Sequence, residues 1–520
     1  MSVRLFRPPR AELLATLASA VLFFYAFPPF RLVGPVFVCL VPLAVAIARA
    51  ADRGDSAWVG VRLGMWFSIF GYGASIYWIA TALLIFTNLA ILGYLGALLV
   101  ITVTIAATGG ALFAARRVTK WPMAALLPFV WVASEMAFNH MSDLAFPWLP
   151  LGLAVTHTPV LAQIADLSGV HGVSLWIALT NGLVADMWLH RDRRRANVWR
   201  GAAIAAMVGA VAAYGEWRMH TIPMRPLGRV GIVQPNVPED EKWQAANVKN
   251  IMGIMARGTH EVLDRDHPQL VLWPEVSLPD LMFRHPEWVD SLRHLSGDSG
   301  TPLLTGFIDL IVHTPTDYEI YNAALLMDAT GVQTQPAYHK RRLVPFVERT
   351  PFIPPRWLSW AGPYLGGDFG IGAGPVIYHV PIGSFGVLVC YESIFPGESR
   401  QYRNDGANFL VNITNDAWFG HSLAPYQHFS HLVLRAIENR VAVVRSANTG
   451  ISGWIDPLGR IRAATPIFVP EAQSYDVVTS DARTPFDRYG DVAGLLAVVV
   501  TLALVARDVW QRRVEKRRLA

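Results

Sequence analysis

Long apolar stretches alternate with a quite different central pattern along this chain. A helix that crosses a bilayer needs about 20 mainly apolar residues, and eight stretches of that kind occur. They fall at 12–30, 32–50, 57–80, 87–114, 121–138, 168–189, 201–217 and 489–506. The pattern therefore predicts seven membrane helices within 1–220, an eighth within 487–508 and a basic tail at 509–520.

Between the seventh and eighth stretches, from 228 to 480, short apolar runs are separated by turn residues. Such runs are typical of buried strands. The predicted strands are Arg229–Val233, Leu270–Trp273, Leu303–Ile308, Ala323–Met327, Phe385–Val389, Phe409–Ile413, Val441–Arg445 and Ile451–Ile455. Helices are predicted at Asp240–Leu263 and Ser422–Asn439. We expect a soluble α/β domain of about 250 residues, joined to the membrane at both ends.

The composition agrees with a membrane protein. Of 520 residues, 53% are hydrophobic and 16% are charged, whereas soluble domains carry roughly 25% charged residues. The net charge of +5 would suit nucleic acid, but the basic residues cluster around the apolar stretches, so no nucleic-acid partner is expected. Cys39 and Cys390 lie too far apart to suggest a disulfide framework or a zinc site. The central segment contains no phosphate loop, HExxH pair or calcium loop, so we expect no metal or cofactor.

The positions of Lys and Arg predict the orientation in the membrane, because these residues accumulate in cytoplasmic loops. They precede the first span and fill the second, fourth and sixth connections and the tail, whereas the other connections hold almost none. Both termini are therefore expected in the cytoplasm, and the 228–480 domain on the opposite, periplasmic side. The arginines Arg4, Arg7 and Arg10 before an apolar run also fit a cleavable signal peptide. No small-residue cleavage site follows them, which favours an uncleaved first helix.

Three segments of the central domain hold candidate reactive side chains. Glu275 follows the run Leu270–Trp273, Cys390 follows Phe385–Val389, and Lys340 lies in a charged segment between them. A cysteine nucleophile needs a base for its proton, and a cation or donor for the thiolate and the oxyanion. These three residues could fill those roles. Each also has a plainer interpretation, as a buried cysteine, a glutamate in a surface turn and a solvated lysine.

Two features favour the catalytic interpretation. Lys340 is one of five lysines in the chain and stands beside arginines, and a compact ammonium that can lose its water suits an oxyanion site. Cys390 has no second cysteine in its own domain with which to form a disulfide. On the noncytoplasmic side, such an unpaired thiol suggests a reactive group.

Taken in order, these segments resemble known motifs. WPE at 273–275, HK at 339–340 and CYE at 390–392 resemble the Glu-Lys-Cys motifs of the nitrilase superfamily. With QPN at 234–236, NDAWFG at 415–420 and eight spans, nearly the whole chain resembles the bacterial apolipoprotein N-acyltransferase family. The resemblance implies a multispan α-helical membrane domain of about eight helices and a nitrilase-like αββα sandwich.

The resemblance also implies roles for individual residues. Glu275 would act as general base, Lys340 would stabilise charge, and Cys390 would be the nucleophile. Glu348 would support Lys340 and Glu275, and the backbone N–H of Tyr391 would form the oxyanion hole with the Lys340 ammonium. The positions that line or gate the pocket in the family are matched here by Trp243, Tyr391, Glu392 and Phe419.

The reaction implied by the resemblance is a ping-pong acyl transfer in the bacterial inner membrane. Cys390 would attack an ester of a phospholipid, with phosphatidylethanolamine as the expected donor, to form a thioester and release a lysophospholipid. The N-terminal amine of an S-diacylglyceryl apolipoprotein would then accept the acyl chain. Because acyl chains keep both substrates in the bilayer, the connection 139–166 is expected to form an apolar floor or lateral entrance through Phe146 and Trp148.

Two other interpretations remain open. The same triad fits a membrane-tethered nitrilase-type amidase that hydrolyses small C–N substrates, although a tether needs one or two helices rather than eight. A multispan transporter or scaffold with an inactive domain would place charged residues along a path through its spans. Few such residues occur beyond Glu135 and Asp186, and either could be a packing residue paired across helices.

Overall fold

The computed structural model describes residues 9–84, 90–314, 317–352 and 369–519. These residues form two compact units. One contains the N-terminal helices up to His220 and the C-terminal helix from Tyr489, and the other is built mainly from Thr221–Arg488. Arg4 and Arg7, on which part of the predicted orientation depends, lie outside the described residues, as do 87–89 at the start of the fourth predicted span.

Each of the eight predicted spans overlaps one or more helices among the described residues. The helices outside 222–488 are Arg10–Ala26, Val41–Arg53, Trp58–Phe67, Gly73–Ser75, Trp78–Leu84, Ala90–Thr119, Met123–Asn139, Pro159–Ala162, Ala165–Leu189, Arg194–Thr221 and Val492–Leu519, with single turns at Gly34–Phe37, Ser68–Tyr72, Ser142–Leu144 and Leu151–Val155. By length and composition, five of the described helices could cross a membrane, or six if the bent pair Trp58–Ser75 and Trp78–Leu84 is one span. Arg10–Ala26 and Met123–Asn139 have 17 residues each. The number of eight spans therefore stays a prediction.

Small residues let two of these helices touch. A Cβ atom on Gly60 would lie 2.5 Å from the carbonyl oxygen of Gly109, and a Cβ on Gly109 would lie even closer to the carbonyl oxygen of Gly60. No side chain fits at such distances, and glycine is used in this way where membrane helices meet. The helices Trp58–Phe67 and Ala90–Thr119 therefore pack backbone against backbone.

Two carboxylates inside the predicted spans, Asp186 and Glu135, hold helices together. Asp186 accepts hydrogen bonds at 2.9 and 3.0 Å from the first two backbone N–H groups of the helix Met123–Asn139, which have no partner within their own helix. Glu135 accepts hydrogen bonds from the Trp131 indole at 3.1 Å and from the Leu151 backbone at 2.8 Å. Both carboxylates are buried. These contacts favour a packing role over a transport path.

The described part of the second unit contains thirteen strands. They are β1 (Arg225–Gln234), β2 (Leu270–Leu272), β3 (Leu278–Leu281), β4 (Leu303–Thr314), β5 (Asp317–Met327), β6 (Tyr338–His339), β7 (Ile377–Val380), β8 (Gly383–Val389), β9 (Phe409–Thr414), β10 (Ala442–Ala447), β11 (Gly453–Ile455), β12 (Ile461–Ala464) and β13 (Glu471–Thr479). All eight predicted strands are confirmed. The five that were not predicted, namely β3, β6, β7, β12 and β13, are short or carry polar residues at many positions.

The strands form two sheets. The first has the order β13-β1-β2-β4-β5-β6, with β3 beside β4, and the second has the order β12-β11-β10-β9-β8-β7. The central pairs, β1–β2, β2–β4, β8–β9 and β9–β10, are parallel. Parallel strands covered on both faces carry nearly continuous apolar runs, and those runs are the ones visible in the sequence.

Helices cover the outer face of each sheet. Val248–Asp266 and Pro286–Ser299 pack on the first sheet, and Pro396–Asn404 and Ala424–Asn439 pack on the second. The sheets pack on each other through β1 with β10 and β5 with β8, which confirms the αββα sandwich. The remaining helical segments among the described residues are Glu239–Lys242, Ala245–Asn247, Met282–Arg284, Cys390–Ile394, Asp416–Phe419 and Pro485–Tyr489. The prediction of a single helix at Asp240–Leu263 is wrong in one respect, because the helix is broken after Lys242. The Lys242 side chain is buried and donates to the backbone oxygen of Glu275.

Candidate active site

Strands and the loops that follow them bring four buried polar side chains together, which we call the catalytic ring. Its members are Glu275, which follows β2, Asn322 on β5, Lys340, which follows β6, and Glu348. Lys340 Nζ donates to Glu275 Oε1 at 3.2 Å and to Glu348 Oε1 at 2.8 Å. Asn322 Nδ2 donates to the same two oxygens at 2.7 and 2.8 Å. One ammonium and one amide therefore bridge two carboxylates.

The charges of the ring keep Lys340 protonated. Its side chain is 1% exposed. Burial alone would lower the pKa of Lys340, but the carboxylates of Glu275 and Glu348 raise the pKa by more, so that it lies above its ordinary value. Lys340 is therefore a permanent cation, suited to stabilising negative charge rather than to giving up a proton.

Further donors hold the outer oxygens of the ring carboxylates. The backbone N–H of Asn415, which follows β9 in the second sheet, donates to Glu275 Oε2 at 2.8 Å. The Asn415 amide in turn donates to Glu239 Oε2 at 2.7 Å. The backbone N–H of Val344 donates to Glu348 Oε2 at 2.8 Å. Both carboxylates are thus held in one orientation by groups from both sheets and their loops.

Cys390 begins the turn that follows β8, and its backbone is unusual. Its φ of 51° lies in the left-handed region, which costs a residue other than glycine roughly 1 kcal/mol or more. Hydrogen bonds offset this cost: the Cys390 carbonyl accepts from Ser393 Oγ at 2.8 Å and lies 3.0 Å from His428 Nε2. The N–H of Val389, just before the turn, donates to Glu392 Oε2 at 2.8 Å.

The thiol of Cys390 interacts electrostatically with the ring. Burial raises its pKa, the carboxylate of Glu275 raises it further, the ammonium of Lys340 lowers it, and Asp416 raises it again. The net pKa lies above the ordinary value, so the resting thiol is neutral and needs a base when it attacks. The structure therefore brings Glu275, Lys340 and Cys390 into one site.

Glu392 is fully buried rather than open to the pocket. Its Oε1 accepts hydrogen bonds at 2.7 Å from the Tyr338 hydroxyl and from the backbone N–H of Arg341. Burial, followed by the nearby carboxylate of Glu398, raises the pKa of Glu392 to about 7. Because Oε2 binds the end of β8, this side chain ties the lysine segment to the cysteine segment. That placement favours a positioning role over direct contact with substrate.

The predicted pocket residues of the second unit lie around this site. Trp243 is 44% exposed, and its indole N–H donates to Glu239 Oε1 at 2.7 Å. Phe419 is half-buried, with its ring edge-on to that of His428 at 6.0 Å. Tyr391 is buried and packs edge-to-face with Phe395. Their roles in binding substrate or the oxyanion stay predictions.

Trp148 belongs to the other unit. It is 2% exposed and stacks on Phe146, with 5.5 Å between the ring centroids. Trp78 packs against it at 4.8 Å. The three rings form an aromatic cluster, and a role for Trp148 in lipid entry stays a prediction.

Several site residues were not predicted. Lys242 is buried, and its Nζ donates to the backbone oxygen of Glu275 at 3.2 Å. Burial lowers the pKa of Lys242, although Glu239, Glu275 and Cys390 act to raise it. Lysine is rare in this chain, and this rarity, which drew attention to Lys340, could also have pointed to Lys242. Asn322 carried no such signal, because an asparagine within a strand is ordinary.

A second buried cluster, the brace, lies behind Cys390 and consists of Asp416, His428 and Arg445. Asp416 Oδ1 lies 3.0 Å from His428 Nδ1, and Asp416 Oδ2 accepts from the Arg445 guanidinium. Burial would raise the pKa of Asp416, but Arg445 and His428 lower it to about 2. The sulfur of Cys390 and ligand atoms of Asp416 and His428 lie within 4.8 Å of one another. That spacing would suit a metal, but the Asp416 oxygens and both His428 nitrogens already have protein partners.

Two family models match this chain. Residues 229–483 match the carbon-nitrogen hydrolase family, and residues 19–183 match the apolipoprotein N-acyltransferase N-terminal domain. Among solved structures, an amidase from Nesterenkonia sp. AN1 is 18% identical with a TM-score of 0.37, covering 51% of this chain and 96% of the amidase.

The curated relatives extend over both units. The chain is 30% identical to an apolipoprotein N-acyltransferase of Geobacter metallireducens, over 97% of this chain and 96% of the relative. It is 29% identical to that of Methylococcus capsulatus, over 96% of each chain. A third relative, from Chlorobaculum tepidum, is 31% identical over 73% of this chain and 76% of its own. The chain therefore belongs to the apolipoprotein N-acyltransferase family.

Proposed function

We propose that this membrane enzyme moves a fatty acyl chain from a phospholipid, through a thioester on Cys390, to the N-terminal amine of a diacylglyceryl apolipoprotein. The observation that carries this proposal is the catalytic ring beside a neutral, buried thiol. Glu275 is the base, Lys340 is a fixed cation, and Glu348 with Asn322 holds both in place. Phosphatidylethanolamine is the proposed donor.

In the first half-reaction, Cys390 attacks the ester carbonyl of the phospholipid. Its proton passes to Glu275 as the C–S bond forms, which removes the barrier set by the raised pKa of the thiol. Negative charge develops on the carbonyl oxygen, where the Lys340 ammonium and the backbone N–H of Tyr391 are proposed to stabilise it. The C–O bond then breaks, Glu275 returns the proton to the departing oxygen, and a lysophospholipid leaves.

In the second half-reaction, the α-amine of the apolipoprotein attacks the thioester. Such an amine has an ordinary pKa near 7.7–8.0, so a neutral, nucleophilic fraction exists at neutral pH. Glu275 takes one of the two N–H protons and the other stays on the amide nitrogen; the C–S bond breaks, and the sulfur receives the proton from Glu275. The ester bond of the donor has been exchanged for an amide bond on the acceptor, and the enzyme is restored.

Membrane attachment supports lipid substrates, because the family and the long apolar helices make the chain a membrane protein. Burial of each methylene group contributes about 0.8 kcal/mol, so long acyl chains stay in the bilayer and the enzyme must meet them there. The distribution of basic residues supports cytoplasmic termini and a periplasmic catalytic domain.

The test is to trap the acyl-enzyme. The purified full-length protein is incubated with phosphatidylethanolamine vesicles, and the peptide that contains Cys390 is examined by mass. We expect its mass to rise by one acyl group and to return to the original value when a synthetic diacylglyceryl peptide is added. An unmodified peptide, or one that only water discharges, would contradict the proposal.

Cys39 provides the matched control. It is the second cysteine, it is buried, and it lies just before the helix Val41–Arg53 in the other unit. We expect Cys39→Ala to form the adduct at the normal rate and Cys390→Ala to form none. Loss of the adduct in Cys39→Ala would contradict the assignment of the thioester to Cys390.

A further inference from the structure

Buried hydrogen bonds fix the direction of the Asn415 side-chain amide. The amide of Asn448 takes its own orientation from the backbone of Val237. Its Oδ1 accepts from the Val237 N–H at 2.9 Å, and its Nδ2 donates to the Val237 carbonyl oxygen at 2.8 Å. The same Nδ2 donates to Asn415 Oδ1 at 2.9 Å. Because this places the oxygen of the Asn415 amide towards Asn448, its NH2 group faces the other way.

Glu239 accepts from that NH2 group and from a second donor. Its Oε2 accepts from Asn415 Nδ2 at 2.7 Å, and its Oε1 accepts from the indole N–H of Trp243 at 2.7 Å. An amide NH2 group and an indole N–H can only donate, so the position requires an acceptor at both oxygens. Glu239 is 5% exposed and Asn415 is 2% exposed. A carboxylate meets this requirement in the interior, whereas a glutamine amide, with one oxygen, does not.

These hydrogen bonds lead to the base of the catalytic ring. The backbone N–H of Asn415 donates to Glu275 Oε2 at 2.8 Å. Lys242, on the same short helix as Glu239, donates to the backbone oxygen of Glu275 at 3.2 Å. The segment from Glu239 to Trp243 is therefore joined to Glu275 at both its side chain and its main chain. Trp243, which is 44% exposed, is the open end of this network.

We propose that Glu239 is a positioning residue for the base: it fixes Asn415, whose backbone N–H orients the Glu275 carboxylate. Its other oxygen anchors the indole of Trp243. This inference rests on the proposed function in taking Glu275 as the group that receives the proton of Cys390. Proton transfer depends steeply on geometry, and a displacement of about 1 Å can cost about 10²-fold in rate.

The first test measures acylation of Cys390 by a soluble ester, p-nitrophenyl butyrate, in the full-length protein. The sulfur attacks the ester carbonyl, Glu275 takes the thiol proton, and p-nitrophenolate leaves as the C–O bond breaks. We expect Glu239→Ala, which deprives Asn415 of its acceptor, to lower the rate constant at saturating ester by about 10–100-fold. The fraction of Cys390 peptide that finally carries a butyryl group should stay unchanged, whereas partial unfolding would lower it. Glu241→Gln, at an exposed position of the same helix, should react normally.

The isosteric variant Glu239→Gln separates the two hydrogen bonds. Because Asn415 is more deeply buried than Trp243, the glutamine oxygen should stay with Asn415, and the indole should lose its partner. We therefore expect Glu239→Gln to be acylated within about threefold of the wild-type rate and to have a lower thermal unfolding midpoint. In a Trp243→Phe background no indole donor faces the glutamine, so Glu239→Gln should lower the midpoint no further.

Three outcomes would each overturn the proposal. They are a folded Glu239→Ala protein that is acylated at the wild-type rate, an equal loss of rate in Glu239→Gln and Glu239→Ala, and a midpoint loss for Glu239→Gln that persists beside Trp243→Phe. If Glu239→Ala does not fold, Asn415→Ala replaces it, because it removes the same link and keeps the backbone N–H. The midpoint comparison needs no acyl donor.

Glu275→Gln distinguishes a failure of this proposal from a failure of the proposed function. Normal acylation of Glu275→Gln by the soluble ester would contradict the role of Glu275 as base. Slow acylation of Glu275→Gln together with normal acylation of Glu239→Ala would contradict only the role of Glu239. The soluble ester also makes the result independent of the phospholipid experiment.

Discussion

Two buried clusters of charged residues, the catalytic ring and the brace, lie near Cys390, and their charges are balanced in different ways. In the ring, one ammonium on Lys340 bridges the carboxylates of Glu275 and Glu348, so negative charge is in excess. In the brace, one carboxylate on Asp416 is paired with the guanidinium of Arg445 and lies beside the ring of His428, so no carboxylate is in excess. Both clusters lie in an interior where an unpaired charge would be costly.

The difference shows what each cluster can do. A ring with an excess carboxylate can take up a proton, which a general base must do twice in each cycle. In the brace, the carboxylate has a pKa near 2 and cannot exchange protons at neutral pH, but it can hold a strained backbone in place. We therefore propose that the ring transfers protons and that the brace has a structural role.

The largest effect is expected where the ring loses its base. Glu275→Gln keeps the shape of the side chain and an acceptor for the Asn415 N–H, but it cannot take the thiol proton. We expect the rate of acyl-adduct formation to fall by about 10²–10⁴-fold. The exposed Glu261 supplies the control, and Glu261→Gln should react normally. A Glu275→Gln enzyme within about tenfold of the normal rate would remove this residue from the role of base.

The next effect concerns the size of the cation. Lys340→Arg keeps the positive charge, but a guanidinium is larger and its donors diverge, so it cannot fill the space between Glu275 and Glu348. We expect a loss of about 10²–10³-fold in acyl-adduct formation, as when an oxyanion donor is removed. The same exchange at exposed Lys249 should have no effect. Normal activity of Lys340→Arg would mean that charge alone suffices.

A pH-dependent effect is expected at Glu392, which links the lysine segment to the cysteine segment. In the unfolded chain, a glutamate titrates near 4.3, whereas burial and Glu398 raise the pKa of Glu392 to about 7 in the folded protein. At pH values between these two pKa values, the folded protein keeps the Glu392 proton whereas the unfolded chain loses it. The free energy of unfolding therefore falls as the pH rises through this interval. The contribution lost is on the order of 3 kcal/mol.

Thermal unfolding of the Glu392→Gln variant tests this dependence. The glutamine does not titrate, so the stability advantage of the wild-type protein should shrink between about pH 4.5 and 7.5. The brace sharpens the comparison, because Asp416, with a pKa near 2, titrates below this interval. A constant difference between the two proteins would show that Glu392 does not change its charge there.

The smallest effect is expected for Asn322, the neutral member of the ring. Asn322→Ala removes the amide that donates to both ring carboxylates, but it leaves the ammonium in place. We expect the free energy of unfolding to fall by about 1–3 kcal/mol and acyl-adduct formation to slow by about tenfold. Asn250→Ala, at an exposed position, is the control. A larger kinetic loss than in Lys340→Arg would give the amide a direct part in the chemistry.

Much of the candidate site could be predicted, because two of its key residues follow apolar runs that strands require. Glu275 and Cys390 each follow a parallel strand whose both faces are covered, and Lys340 lies in a motif that resembles a known family. Asn322 and Asn415 could not be found in this way, since amides in strands and turns are common. Most of the brace could not be predicted for a similar reason, because His428 lies within an ordinary amphipathic helix.

The sequence by itself determined which segments are apolar enough for membrane helices or buried strands, since local hydrophobic periodicity carries that information. It also determined the order of the three reactive residues along the chain. Only the tertiary structure decided that Glu392 is a buried link rather than an open pocket residue, that Lys242 turns inwards, and that His428 lies against the backbone carbonyl of Cys390. These properties depend on burial and on partners far away in the chain, and charge, hydrogen bonding and protonation follow from such neighbours rather than from sequence distance.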